Sequence, residues 1–387
     1  CLSQCPAGFV WRARDPQKSI YTGEGQTDVF VMQDHGPVYV QERHGERRHG
    51  TMQDVINFYK LGQTSRVNAI VGQCTVDPHE VDGPNKHLLV THQLLRHTDK
   101  PIMSWPVATI GENEKVFKMI EMVMGEGYLA SHYFVTASVC ALSPLQYAQE
   151  SADTIIAYAR ANQPVTVLTA PMTGVSTPIS DIGALVAQNA ELLAGIVLAQ
   201  LVQPGVPVIY GTATYAADMR SGAFITGSPL SNLIDRAALQ LAQSLYHMPT
   251  RTLAGNTDAK VPDIQAGYET MQNYIQLLMG GTHMINECLG ILDGMMTVSY
   301  EKYIIDEEML RRVGCMMRGL DTSEASFDMS VLLETPHMEP FLMHESTLAA
   351  CSGQWQPDVA CWSNYDTWFA EGCPSILDRA AEKCRER

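Results

Sequence analysis

Between Pro171 and Asp306, polar loops alternate in regular order with long, nearly uncharged helical runs, and this rhythm constrains the fold more than any other feature of the chain. Short β-branched or apolar runs recur at 67–73, 101–105, 132–138, 165–170, 206–211, 250–254 and 283–287. Their centres lie roughly 30 to 45 residues apart, the length of one strand plus one returning helix. Helical periodicity fills the gaps at 114–124, 144–161, 182–203, 230–246 and 262–279. Strand, helix, strand in repetition demands a parallel sheet.

Local signals agree with these boundaries. Asp181 is placed to cap the helix behind it, Pro262 and Asp263 suit a first helical turn, and Gly205 with Pro207 closes one helix before the next strand. Seven units are countable, and the eighth strand is expected either upstream of Val67 or in the tail after Gly319. The fold class is therefore α/β, a closed (β/α)8 TIM barrel rather than an open doubly wound sheet, and no GxGxxG follows the first strand to favour the latter.

Both ends read differently from this middle. In the first 50 residues VFVM and GPVYVQ, separated by Gln33 to His35, suggest a β-hairpin beside the barrel, and RHGERRH at 43–49 reads as a solvated loop. After Asp321 the chain holds Trp355, Trp362 and Trp368 among Pro, Ser and acidic residues, then a short charged helix at 377–387. The expected organisation is an N-terminal extension over 1–50, a barrel over 51–320, and a C-terminal extension over 321–387 packing on the barrel or on a neighbouring subunit.

Charge and composition exclude several function classes. A net charge of −16 with scattered Lys and Arg repels phosphate backbones, which argues against a nucleic-acid partner. The apolar run 182–202 carries Gln188, Asn189, Glu191 and Gln200, so it reads as a buried helix and not as a membrane span. Ten cysteines without a CxxC pair fit a reducing, cytoplasmic setting, and no secretory signal is visible. Cys351, Cys361, Cys373 and Cys384 lack the clustered histidines of a zinc site, and His132, His247 and His283 occur singly, so no metal ligand is assigned.

In a barrel of this kind, chemistry collects where strands end. That rim is rich in amides, hydroxyls and aromatics, with Asp258 and Glu287 as its main carboxylates. Trp105, Tyr133, Tyr210, Tyr215 and Phe224 fall at or beyond strand ends, where aromatic faces suit a quaternary ammonium through cation–π attraction; the alternative for each is packing. Asn256, Thr257 and Asp258 in AGNTDAK follow a strand and form either a site or a capping loop. Glu287 in INECLG is a carboxylate either balancing a cation or pairing with Arg251. Thr173 and Gly174 in PMTGVSTP could meet an anion or cofactor group. Lys260 raises a separate possibility, a Schiff-base lyase or aldolase, although such a lysine needs burial.

The segments QNAELLAGIVLAQLVQPGVPVIYG, AGNTDAKVPDIQAGYE and SYEKYIIDEE, within a stretch from ARDP to DRAAEK, resemble the trimethylamine methyltransferase (MttB-type) family of corrinoid-dependent methyltransferases. The resemblance implies a TIM barrel that moves a methyl group from a methylated amine to the cobalamin of a separate corrinoid protein, with no cofactor held by this chain. No pyrrolysine is printed, which implies the branch acting on quaternary amines such as glycine betaine, proline betaine or carnitine; if a lysine stands for pyrrolysine, Lys260 is the one near a strand end. The family usually has a further N-terminal segment. On this reading Glu287, Asp258 and Asn256 are catalytic candidates. Trp105, Tyr133, Tyr210, Tyr215, Phe224 and Arg251 bind substrate, while Thr173, Gly174 and Thr257 face the cofactor. A homo-oligomer is expected, and a non-catalytic quaternary-amine-binding protein is the remaining alternative.

Overall fold

The computed structural model describes residues 1–387 apart from Asp34, His44 and Pro106, Asp328, and the side chain of Ala325. Three of these fall in expected features, namely the hairpin turn (Asp34), the basic loop (His44) and the SWP triplet (Pro106). Eight parallel strands close a barrel: β1 (Phe30–Met32), β2 (Asn68–Gly72), β3 (Ile102–Met103), β4 (Val135–Ala141), β5 (Val165–Thr169), β6 (Val208–Thr212), β7 (Thr250–Leu253) and β8 (Met284–Asn286). Each is followed by one long helix on the outside: α1 (Met52–Thr64), α2 (Lys86–His97), α3 (Ile110–Met124), α4 (Gln149–Arg160), α5 (Asp181–Val202), α6 (Pro229–Ser244), α7 (Ile264–Leu278) and α8 (Tyr300–Arg318). The seven expected strands all fall within this set.

The eighth strand is β1, inside the stretch expected to form a hairpin. Phe30 and Val31 pair with Met284 and Ile285 of β8, while Val31 and Met32 pair with β2, and this closes the ring. VFVM therefore does not pair with GPVYVQ. Tyr39–Gln41 instead turns forward through Gly45 (φ +94°) and pairs antiparallel with Arg47–His49, so RHGERRH contributes a strand where a loop was expected. Thr297–Val298 and Ile291–Leu292 extend that hairpin to four strands. The barrel boundary consequently moves from residue 51 to before Phe30. A true N-terminal hairpin lies upstream, Gly8–Trp11 against Ile20–Gly23.

That upstream hairpin closes the barrel floor. Phe9 and Trp11 pack with Met32, Ile70, Met103, Ile209 and Met284, residues contributed by alternate positions of five strands. Burying two aromatic rings there stabilises the fold by roughly 1.5–3 kcal/mol each. Trp11 Nε1 donates to the Phe134 carbonyl at 3.0 Å, so its one polar atom is satisfied.

Helix boundaries follow their capping chemistry. Thr51 and Asp54 form a reciprocal capping box on α1, and Asp263 accepts from the Ala266 N–H as the N-cap of α7. The cap of α5 is Ser180 and not Asp181, which is its first helical residue and opposes the positive end of the helix dipole. α5 is long and apolar enough to cross a membrane by composition. Its polar residues nonetheless bind inside the barrel wall: Glu191 accepts from the Thr169 hydroxyl, Asn189 from Tyr210 at 2.9 Å, and Gln188 from Thr214 at 3.0 Å.

After Asp321 the chain forms short turns and helices before returning to the barrel. Glu308 on α8 accepts from the backbone N–H groups of Asp358, Val359 and Ala360, and helix Ile376–Arg385 packs along α8. Arg387 pairs with Glu307 and donates to the Leu61 carbonyl at 2.8 Å. The three tryptophans stay in this tail, with Trp355 under Arg312 at 4.6 Å and against Trp362.

Candidate active site

Register across the barrel places four residues on one level: Cys140 of β4 opposite Leu168 of β5, Leu168 opposite Gly211 of β6, and Gly211 opposite Arg251 of β7. Partners in register project to the same side, so three side chains and one gap face the interior together. Cys140, Leu168 and Arg251 line a cavity of about 540 Å³ at the C-terminal mouth. Loops complete the wall with Val107 after β3, Tyr215 after β6, Glu287 and Met295 after β8, and His35 after β1. Leu253, one level above Arg251 on β7, adds to an otherwise apolar rim.

Two charges lie at the centre of this space. Arg251 and Glu287 are each about 1 % exposed, and Arg251 Nη2 stands 3.9 Å from Glu287 Oε1. Among the described residues, neither the three guanidinium nitrogens nor Glu287 Oε2 has a hydrogen-bond partner. Buried charges without partners are costly, and they persist where a ligand supplies the missing contacts. Burial pushes the Glu287 carboxyl up to about 7, with the Arg251 charge opposing the rise. His35 Nε2 lies 3.4 Å from Glu287 Oε1, and burial together with the Arg251 charge pushes its imidazole down to about 3, so it is neutral.

The β8 loop concentrates unusual backbone. Glu287, Asp293 and Met295 have φ of 51°, 55° and 72°, conformations that cost a non-glycine residue about 1–3 kcal/mol each. Strain of this kind collects at ligand sites, where the surrounding structure imposes it. Tyr215 is held beside this loop by its hydroxyl, which donates to Met295 Sδ at 3.1 Å.

The whole chain, residues 1–387, matches the family model of the trimethylamine methyltransferase (MTTB) family. The chain belongs to that family. It is 32 % identical over 371 residues to the glycine betaine methyltransferase of Desulfitobacterium hafniense (strain Y51), covering 96 % of this chain and 77 % of that protein. It is 34 % identical over 297 residues to the proline betaine:corrinoid methyltransferase of Eubacterium limosum, covering 75 % of this chain and 61 % of that protein. Among solved structures, the Methanosarcina barkeri monomethylamine methyltransferase superposes with a TM-score of 0.56 at 9 % identity, covering 100 % of this chain and 79 % of that one, which bears on the fold alone.

In this member of the trimethylamine methyltransferase family, three of the expected site residues meet in the cavity: Arg251, Glu287 and Tyr215. The expected aromatic cage does not assemble. Tyr210 faces outward on β6 and donates to Asn189 of α5, because strand alternation turns Gly211 inward. Tyr133 lies at the barrel floor, edge-on to Phe9 with centroids 5.7 Å apart. Trp105 packs against the main core, its ring 5.9 Å from Lys86 Nζ, and Phe224 packs at a tilt against Tyr215, with centroids 4.4 Å apart, from outside the cavity lining.

The AGNTDAK segment supports the rim rather than entering it. Asp258 accepts from the Thr226 and Gly227 N–H groups and from the Thr226 hydroxyl, clasping the ribbon Ala216–Ala217 with Phe224–Ile225. Thr257 donates to Glu269 of α7, and the Asn256 carbonyl accepts from Asn273. Gly255 is where this segment touches the site, since a Cβ there would stand 2.2 Å from Cys288 Cα and 2.6 Å from the Glu287 carbonyl oxygen. Thr173 and Gly174 (φ +81°) form a loop whose Thr173 N–H donates to the Tyr215 carbonyl, so they brace Tyr215 from behind.

Lys260 is exposed and ion-paired with Asp293 at 2.9 Å, which removes the buried, uncharged amine that a Schiff base requires. No lysine is among the described residues lining the cavity. His35, Cys140 and Met295 were not anticipated. His35 sits in a stretch mistaken for a hairpin turn, and Cys140 and Met295 carry no local signal, because a cysteine or methionine in an apolar run reads as packing.

The sequence also concealed a system of buried carboxylates on the outer helices. Glu191 on α5 accepts from Ser143 and the Leu145 N–H, Asp235 on α6 from the Thr214 N–H and hydroxyl, Glu269 on α7 from Asp258 N–H, and Asp306 on α8 from Gly290 N–H. Each anchors a βα loop to a helix, which makes the mouth a preorganised rim.

Proposed function

We propose that this protein transfers a methyl group from a small methylated amine to the corrinoid of a separate partner protein. The observation that carries the reading is the 540 Å³ cavity at the C-terminal mouth of a barrel from this family, centred on a carboxylate and walled by Tyr215, Leu168 and Leu253. The relatives named for methyl transfer to corrinoid support the same reaction class.

A methyl leaving a quaternary nitrogen departs without the C–N bonding electrons. That pair stays on nitrogen, giving a neutral tertiary amine that needs no proton. The acceptor's reduced cobalt supplies the pair for the new bond. What remains for the protein is positioning. Glu287, when ionised, balances the onium charge, and the Tyr215 ring and Met295 sulfur present polarisable surface to the methyl groups. Leu168, Leu253 and Val107 exclude water from the wall. The neutral amine formed loses its attraction to Glu287, which favours product release.

The test is to mix the purified chain with its reduced corrinoid protein and candidate amines and to follow the absorbance change on methylation of the corrinoid. The expected result is turnover with at least one amine in wild type and a loss of about 100-fold in Glu287→Ala, the scale set by removing a buried counter-charge. Silence with every methylated amine overturns the reading. A homo-oligomer is proposed alongside it, on the grounds that Leu320, Leu333, Met338 and Met343 are exposed apolar side chains beyond α8; light scattering tests it.

A further inference from the structure

Two of the segments that carry the family resemblance meet at a second cavity, on the outside of the barrel. AGNTDAKVPDIQAGYE supplies Ile264 and Gly267 from the start of α7, and SYEKYIIDEE supplies Lys302, Ile305 and Asp306 from α8. Val359 and Ile376 of the returning tail line a third side. The space measures about 620 Å³, within the range of sites that hold small organic molecules. No described residue lines both this cavity and the one at the barrel mouth.

Most charged groups along its wall are already engaged. Asp263 caps α7, and Glu308 takes Arg312 together with three N–H groups of the tail. Lys302 and Asp306, both buried, differ from these. Asp306 Oδ2 accepts from Lys302 Nζ at 2.6 Å and from the Gly290 N–H at 2.7 Å, but Oδ1 has no hydrogen-bond partner among the described residues. Lys302 Nζ donates to Asp306 and, at 3.1 Å, to Thr270 Oγ1, which uses two of its three N–H donors. One acceptor and one donor therefore remain side by side, at the end of a largely apolar space.

A hydroxyl matches that combination, since it donates to Oδ1 while accepting from Nζ. A carboxylate head would instead oppose Asp306, and an ammonium head would oppose Lys302. Either brings a third charge into a buried site whose own two charges already balance.

We propose that this cavity is a second binding site, which takes a neutral apolar molecule bearing a single hydroxyl. The apolar body lies between Ile264, Ile305 and Ile376, and the hydroxyl sits on the Lys302–Asp306 pair. The site goes beyond the methyl-transfer reading and its test needs no corrinoid partner.

The probes are 1-octanol, octanoate and octylammonium, which share one apolar chain and differ in the charge of the head. Binding to the full chain is measured by calorimetry below micelle-forming concentrations, with the Tm shift recorded alongside. Wild type is expected to bind 1-octanol about tenfold or more tightly than either charged probe, because an unbalanced buried charge is costly. Gly267→Leu tests the place: a Cβ there meets no atom within 4 Å, so the new side chain has room to occupy the cavity, and leucine favours a helix over glycine. That variant is expected to lose 1-octanol affinity by about tenfold or more, as apolar surface is no longer available, with a Tm at or above wild type. Lys302→Met, which leaves the carboxylate alone, is expected to reverse the order so that octylammonium binds more tightly than 1-octanol.

Absence of saturable 1-octanol binding overturns the proposal, and so does undiminished binding in Gly267→Leu or equal affinity for the three heads. Light scattering tests the competing occupant: a cavity filled by a second copy of the chain shows as an oligomer that 1-octanol dissociates, and this too overturns the proposal. Should Lys302→Met fail to fold, the order of heads in wild type and the Gly267→Leu result decide.

Discussion

Arg251 within β7 and Glu287 just after the neighbouring β8 hold their charged groups 3.9 Å apart, close enough to feel each other and too far to hydrogen-bond. A pair built for stability would close to contact distance, as Lys302 and Asp306 do at 2.6 Å. The open spacing leaves the Arg251 guanidinium and Glu287 Oε2 without hydrogen-bond partners among the described residues, contacts that a ligand would fill under the proposed function.

Glu287 makes the site pH-dependent. Its folded value of about 7 lies above the usual 4.5, so the folded state holds a proton that the unfolded state has lost between those two pH values. The resulting stability is fully present below pH ~4.5 and is lost as pH rises through about 7, an effect on the order of 3 kcal/mol as an upper bound. An onium ligand favours the ionised form, so its binding is expected to release a proton near neutral pH and to tighten as pH rises. Calorimetry in two buffers of different ionisation enthalpy reads the proton release. Glu287→Gln is expected to abolish it, and unchanged proton release in that variant removes Glu287 from this role.

Gly255→Ala is expected to disturb the site without touching it. The new Cβ would meet Cys288 Cα at 2.2 Å and the Glu287 carbonyl at 2.6 Å, both backbone atoms that cannot swing aside. Overpacking of this kind costs about 1–3 kcal/mol. A fall in Tm together with weakened amine binding is the expected result, whereas a wild-type Tm means that the β8 loop yields freely.

Asp258→Asn tests the clasp. Losing the charge-assisted acceptor for Thr226 and Gly227 is expected to loosen the ribbon around 216–225, raising KM several-fold and speeding proteolysis within it, at a cost of roughly 1–3 kcal/mol. A drop in kcat at unchanged KM and protease resistance would assign Asp258 to chemistry instead.

Lys260→Met is expected to leave kcat within about twofold of wild type, because exposed ion pairs such as Lys260–Asp293 contribute only about 0–1 kcal/mol. Borohydride with a carbonyl compound should add no mass at this residue. A trapped adduct there restores the lyase reading.

Strand and helix order was legible from the chain because periodicity is a local property: runs such as 165–170 and 206–211 alternate with long apolar helices, and α/β closure follows from that order. The family was legible too, in long segments rather than in single residues. The eighth strand was expected either upstream of Val67 or in the tail, and β1 is upstream; its exact place escaped because three residues show too few alternations to reveal a period.

Which side chains meet was decided by the tertiary structure. In a strand, neighbours point to opposite faces, so a one-residue difference sends Tyr210 out to α5 and leaves Gly211 facing the cavity, and sequence cannot place strand phase that finely. His35, Tyr215, Arg251 and Glu287 come from four separate βα units, and only barrel closure between β8 and β1 brings the first beside the last. The chain by itself determined that there would be a barrel; the ring's register and its loops determined that a largely apolar mouth would hold one buried guanidinium 3.9 Å from one buried carboxylate.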